Sequence, residues 1–138
     1  MSGAAPDPSI RILLVGGQPL FVKALQTRLR QSRLHVVGVE CGSEDVAAHA
    51  QTLAADVVLL DADPGGEAIE AASRIMAQES PPKVIVLTDE RTQVDTAQAQ
   101  RAGAVAFVRK PAAIDDLVET LELVVTLLVD TSRAQSGS

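Results

Sequence analysis

The stretch Asp56-Val57-Val58-Leu59-Leu60-Asp61 decides the fold. Four apolar residues run together and stop at a carboxylate. A short unbroken apolar run of this kind reads as a strand buried on both faces, as found inside a parallel sheet. Asp61 then stands at the strand's C-terminal end, the edge where open α/β sheets gather ligands and chemistry. Asp63, Pro64, Gly65 and Gly66 turn the chain at once and leave Asp61 at the rim.

Similar strands flank it. Ile10 to Val15 is a buried strand ending at Gly16-Gly17, and Val36 to Glu40 is a second. Val84 to Thr88 and Ala104 to Arg109 follow the opening stretch as the fourth and fifth. Between them lie segments of helical spacing. Pro19 suits a first turn, and Val22, Leu25 and Leu29 carry a helix to about Gln31. Ser43 is a good N-cap for a helix whose inner face is Val46, Ala47, Ala50 and Leu53. A third helix spans about Glu67 to Gln78, with Ile69, Ala72, Ile75 and Met76 inward, and Pro81-Pro82 follow it. A polar fourth helix is expected from about Thr92 to Ala102, stopped by Gly103, and a last one from Ala112 to about Asp130.

Five strands thus alternate with five helices. That pattern predicts an α/β fold, a flavodoxin-like doubly wound parallel sheet with strand order 2-1-3-4-5. Residues 1–9 are expected to be a disordered leader, 10–130 one domain, and 131–138 a disordered tail or the start of a linker. In that order the ends of strands one and three are neighbours. One cleft then holds Asp61, Thr88 and Lys110.

Composition excludes several functions. At 138 residues and 46% apolar, the chain can build a core. Twelve basic against 18 acidic residues give −6, against a nucleic-acid partner, whose binding rests on Lys and Arg at phosphates. Phe21 and Phe107 are the only aromatics, so base-stacking platforms are lacking too. A single cysteine, Cys41, cannot form an internal disulfide and reads as a small packed residue in a reducing compartment. No apolar run reaches the ~18 residues of a membrane span, and a cytoplasmic protein is expected. Gly16-Gly17 could suggest a nucleotide site, but neither G-x-G-x-x-G nor G-x-x-x-x-G-K-[ST] occurs. His35 and His49 stand apart from any metal cluster, and His49 reads as part of a solvated helix face.

Four landmarks in order resemble the CheY-like receiver domain of bacterial response regulators, over about Ile10 to Leu128. They are Leu14-Val15-Gly16-Gly17-Gln18-Pro19-Leu20-Phe21, Leu59-Leu60-Asp61, Val86-Leu87-Thr88 and Ala102-Gly103-Ala104-Val105-Ala106-Phe107-Val108-Arg109-Lys110-Pro111. The resemblance implies that Asp61 is the phosphoacceptor, taking a phosphoryl group from a histidine kinase. It implies that Thr88 is the switch hydroxyl, Phe107 the switch aromatic and Lys110 the phosphoryl partner. The Lys110–Pro111 bond would be cis. It also implies a Mg²⁺ ion held by Asp61 and an acidic pair after the first strand, since phosphoryl transfer is mostly charge neutralisation and positioning.

Here the pattern breaks. Gly16 and Gly17 stand where the two carboxylates are expected, a degenerate metal site. Mg²⁺ usually takes one or two protein carboxylates, so binding should be weak or lost. Losing one preorganised electrostatic group commonly costs about 10²–10³ in rate, and losing two metal-binding carboxylates should cost at least as much. Asp63 could lend a carboxylate. Asp89, after the switch threonine, would crowd and repel an incoming phosphoryl group, or point away into solvent. Asp61 and Lys110 are left to form a direct ion pair that keeps Asp61 ionised.

The last helix carries more apolar residues than one face can bury. Ile114, Leu117, Leu121, Val124, Val125 and Leu128 share an inward face, whereas Leu123 and Leu127 form a separate stripe and Val129 adds to the excess. That stripe is either covered within the fold or an interface: a homodimer seam, or docking to a partner or effector domain. Asp115, Asp116, Glu119 and Glu122 find no basic partner on the same helix. The expected function is an atypical receiver, a signalling module and not an independent enzyme, with no cofactor. The alternatives are a working phosphoacceptor at Asp61 and a small-ligand sensor using the same pocket.

Overall fold

The computed structural model describes residues 10–16, 19–40, 46–61, 67–88, 96–110 and 113–136; for residues 19, 67–69, 96, 99 and 130–136 it describes backbone alone. Five strands and five helices alternate along these residues. The strands are β1 (Ile10–Val15), β2 (Leu34–Glu40), β3 (Val57–Asp61), β4 (Lys83–Thr88) and β5 (Ala104–Arg109). The helices are α1 (Pro19–Leu29), α2 (Val46–Thr52), α3 (Glu67–Met76), α4 (Thr96–Arg101) and α5 (Ile114–Ser136). All four strand pairings are parallel, in the order β2-β1-β3-β4-β5. This is the predicted flavodoxin-like sheet.

Strand alternation divides the core in two. Ile10, Ile12, Leu14, Val57, Leu59, Ile85, Leu87 and Val108 face α1 and α5. Leu13, Val15, Val58, Leu60, Val84 and Val86 face α2 and α3. The three central strands are apolar on both faces because both faces are covered.

Asp56 sets their register. Its N–H donates to Arg11 O at 2.8 Å, and its Oδ2 accepts from Arg11 N at 2.9 Å. Its carbonyl accepts from Lys83 N at 3.0 Å. One residue therefore ties the start of β3 to both β1 and β4.

The structure corrects several sequence expectations. Within the described residues α4 covers Thr96–Arg101; its expected start near Thr92, the Ser43 cap and Cys41 lie outside them. α5 continues past Asp130 to Ser136, because residues 131–136 contain neither Gly nor Pro and Gly137 comes next. Val129 is not surplus: it is buried against the α1–α5 side of the sheet. Two register shifts, at Ile12/Leu13 and at Val84/Ile85, were not anticipated. The expectation for the acids of α5 concerns that helix alone; Asp115 pairs with another helix, Arg28 Nε of α1 lying 3.2 Å from its Oδ1. Both side chains are exposed, so this pair contributes little to stability.

Gly103, between α4 and β5, has φ 111°. A Cβ there would lie 2.1 Å from Met76 Cγ and 3.0 Å from Met76 Cβ. Gly103→Ala should therefore combine left-handed backbone strain with overpacking against α3, costing about 2–4 kcal/mol. Urea unfolding followed by circular dichroism measures this; a loss under 1 kcal/mol would contradict the packing described.

Candidate functional site

The C-terminal edge of the sheet gathers the expected site. Asp61 ends β3 and is paired in register with Leu87 of β4. β1 ends one residue before Gly16, whose N–H donates to Glu40 O at 2.8 Å. Gly16 has φ 78°, and a Cβ on it would meet the Asp61 carbonyl oxygen at 3.2 Å and Asp61 Cβ at 3.7 Å. Position 16 is thus directly beside Asp61, presents no side chain, and holds a conformation that L residues disfavour.

Lys110 follows β5, two strands from Asp61. Its N–H donates to Thr88 O at 2.7 Å, which fixes its backbone at the edge. Its Nζ donates to Asp61 Oδ1 at 2.8 Å and to Oδ2 at 3.0 Å. The Asp61 side chain is 8% exposed and that of Lys110 18%. The ammonium therefore bonds both carboxylate oxygens at short, charge-assisted distances. A metal ion or phosphoryl group reaching this carboxylate would meet a cation already seated on it, although each oxygen keeps a further lone pair.

Beside the pair, α1 brings Phe21 to the rim. Lys110 Nζ lies 4.6 Å from the centroid of its ring. Leu14, Gly16, Phe21, Val22, Leu59, Asp61 and Leu87 help line a crevice of about 10 Å³. That is room for about one water molecule.

The structure brings Asp61 and Lys110 together as the sequence predicts. Thr88 joins them through its backbone, and its hydroxyl-bearing side chain is half-buried. Phe107 is half-buried on the α2–α3 side of the sheet, paired in register with Val86. Gly17, Asp63, Asp89 and Pro111, and with Pro111 the expected cis bond, lie outside the described residues. Among the described residues there is no group of three or more His, Cys, Asp or Glu able to hold a metal ion. Leu123 and Leu127 are 65% and 60% exposed on α5. They stand two residues beyond the buried Leu121 and Val125, about 200° round the helix. His49 is half-exposed, as expected of a helix surface, but its Nδ1 lies 2.8 Å from Glu40 Oε1. No described helix is long and apolar enough to cross a membrane.

Sequence reasoning missed the place of Phe21. The residue was visible in the first turns of α1, but a ring over a lysine from β5 needs both the strand order and the α1 tilt.

Comparison with known proteins identifies the family and the fold. The response regulator receiver domain pattern matches residues 12–122. A protein-glutamate methylesterase/protein-glutamine glutaminase of Halalkalibacterium halodurans is 33% identical over 127 residues, 90% of this chain and 36% of that protein. The transcriptional regulatory protein PdtaR of Mycobacterium tuberculosis is 30% identical over 117 residues, 84% of this chain and 57% of that protein. The chain therefore spans about a third to somewhat over half the length of these relatives. Among solved structures, the response regulator domain of Thermotoga maritima CheB superposes with TM-score 0.68 at 26% identity, covering 89% of this chain and 95% of that one. The NarL receiver domain of Mycobacterium tuberculosis gives 0.70 at 23% identity, over 83% and 94% respectively, a likeness of fold. The chain belongs to the response regulator receiver domain family.

Proposed function

We propose that this chain is an atypical receiver, a cytoplasmic signalling module of a two-component or phosphorelay-type protein that acts through protein contacts largely independent of Mg²⁺-dependent phosphorylation. One observation carries the reading: Lys110 Nζ bonds both oxygens of Asp61, while Gly16 offers no side chain beside them. Among the described residues the donor set fits a magnesium ion poorly. It offers one carboxylate, already engaged by an ammonium, where the ion usually takes one or two carboxylates from protein. Mg²⁺ binding in this reading is weak or lost, and the chain needs no cofactor.

The runner-up is a working phosphoacceptor, phosphorylated at Asp61 by a histidine kinase, with Thr88 and Phe107 as the switch. Its support is that nucleophile and cation are both in place. A small-ligand sensor finds less support, because the crevice that the described residues form beside Asp61 measures about 10 Å³. Amide NMR separates the first two. With Mg²⁺ and beryllofluoride, the resonances of Asp61, Thr88 and Phe107 should stay in place; shifts saturating at low-millimolar Mg²⁺ would establish the phosphoacceptor instead.

The electrostatics give a second test. Where a pocket is crowded with acids, neutralising one relieves repulsion and stabilises. Here Asp61 is paired with a cation, so Asp61→Asn should destabilise. The expected loss is about 1–3 kcal/mol, below the 3–5 of a fully buried pair because Lys110 keeps some exposure. An unchanged or raised denaturation midpoint would count against the pairing.

For the protein contact, α5 offers Leu123 and Leu127, exposed and one turn apart. The stripe would meet a partner, the chain's own effector domain or a second copy. Replacing both with Ser should leave stability within about 0.5 kcal/mol, as for other exposed positions. It should also lower self-association in sedimentation equilibrium. Equal association by both forms would remove this stripe from any homodimer.

A further inference from the structure

Lys110 has a four-carbon stem and many rotamers, so something must hold its ammonium on Asp61. Asp61 supplies the charge. Phe21 supplies a wall on another side, with its ring centroid 4.6 Å from Nζ, within the range of a cation–π contact. The ring is itself anchored. Phe21 packs on the buried cluster that includes Leu14, Leu25 and Leu59, and it lines the same narrow crevice as Asp61. Gly16, beside Asp61, brings no side chain of its own to compete for the ammonium.

We propose that Phe21 is a positioning residue that latches the ion pair: its ring face holds Lys110 Nζ on the Asp61 carboxylate and so sets how often that pair opens. The inference rests on the closed Asp61–Lys110 pair described above. It adds the group that keeps that pair closed. Opening requires Nζ to leave the carboxylate and the ring together, so losing the ring's attraction should make opening more frequent.

Two variants and one probe test this. Phe21→Leu keeps apolar bulk and removes the aromatic face; Phe21→Tyr keeps the face. The probe is competitive acetylation of Lys110 Nζ by trace acetic anhydride, read by peptide mass spectrometry, because an ammonium held in the pair is slow to react. Phe21→Leu should label on the order of two- to thirtyfold faster than wild type, the factor that a cation–π contact corresponds to. Phe21→Tyr should label within about twofold of wild type, since a phenol ring keeps the aromatic face. Unchanged labelling in Phe21→Leu overturns the proposal. So does equal acceleration in both variants, which would make the ring a packing element only. Should Phe21→Leu not fold, nuclear Overhauser contacts between the Phe21 ring and the Lys110 ε-methylene in wild type decide, and their absence overturns the latch. Failure of the atypical-receiver reading shows separately, as low-millimolar Mg²⁺ saturation of the wild-type amide spectrum whatever the labelling ratios.

Discussion

Parallel pairing of β1, β3 and β4 is the constraint from which the rest of this molecule follows. A parallel ladder sends all C-terminal ends to one edge, so any side chain just past a strand arrives at a common rim. Asp56 makes that arrangement unambiguous. Its N–H, carbonyl and carboxylate engage Arg11 and Lys83 at the opposite edge, at 2.8 to 3.0 Å. A slip of one residue would break these bonds and turn Val57 and Leu59 onto the wrong face. With the foot of β3 pinned, five residues of strand deliver Asp61 beside Gly16 on one side and level with Leu87 on the other. The two aspartates bounding the apolar run have opposite duties: the first fixes register, the second is placed by it.

Much of this was legible in the sequence because the strands are extreme. Uninterrupted runs such as Val57 to Leu60 and Val84 to Leu87 allow no amphipathic alternative, and each is buried on both faces. Gly103 marked the stop of α4. The end of α5 was less legible: the helix ran on because the tail residues, though polar, contain no helix breaker before Gly137. Val129 was misjudged for the same reason. Counting faces on an isolated helix cannot show that its far end still lies against the sheet.

The site divided along similar lines. Asp61 and Lys110 are reached by counting from strand ends, which topology brings together. Phe21 is not, because a contact between α1 and the end of β5 depends on helix tilt and side-chain rotamer. The register shifts escaped as well: at the first of them Val36 pairs with Ile12 and Gly38 with Leu13, which leaves Val37 as the inserted residue. Gly38 is the trace of it in sequence. A Cβ there would lie 2.7 Å from Leu53 Cδ1, a side-chain tip just past α2 that would have to shift.

The pair and the exposed stripe of α5 share one packed unit, and this bears on how such a receiver could signal. Lys110 precedes α5 by a few residues, and Phe21 belongs to α1, which packs with α5 over the same cluster as Leu117, Leu121 and Val125. In a receiver that switches, a moving cation at this edge would have a bistable element to bias. A cation bonded to both carboxylate oxygens and set against a ring favours one arrangement of that edge. Leu123 and Leu127 are then presented in a fixed orientation by a helix whose other face is buried. A surface preorganised in this way binds without a conformational cost, since none of its binding energy is spent on populating a minor state. In the proposed reading, the closed pair and the Leu123–Leu127 stripe belong to one packed unit, so a partner at α5 would meet the same surface without waiting for a switch at Asp61.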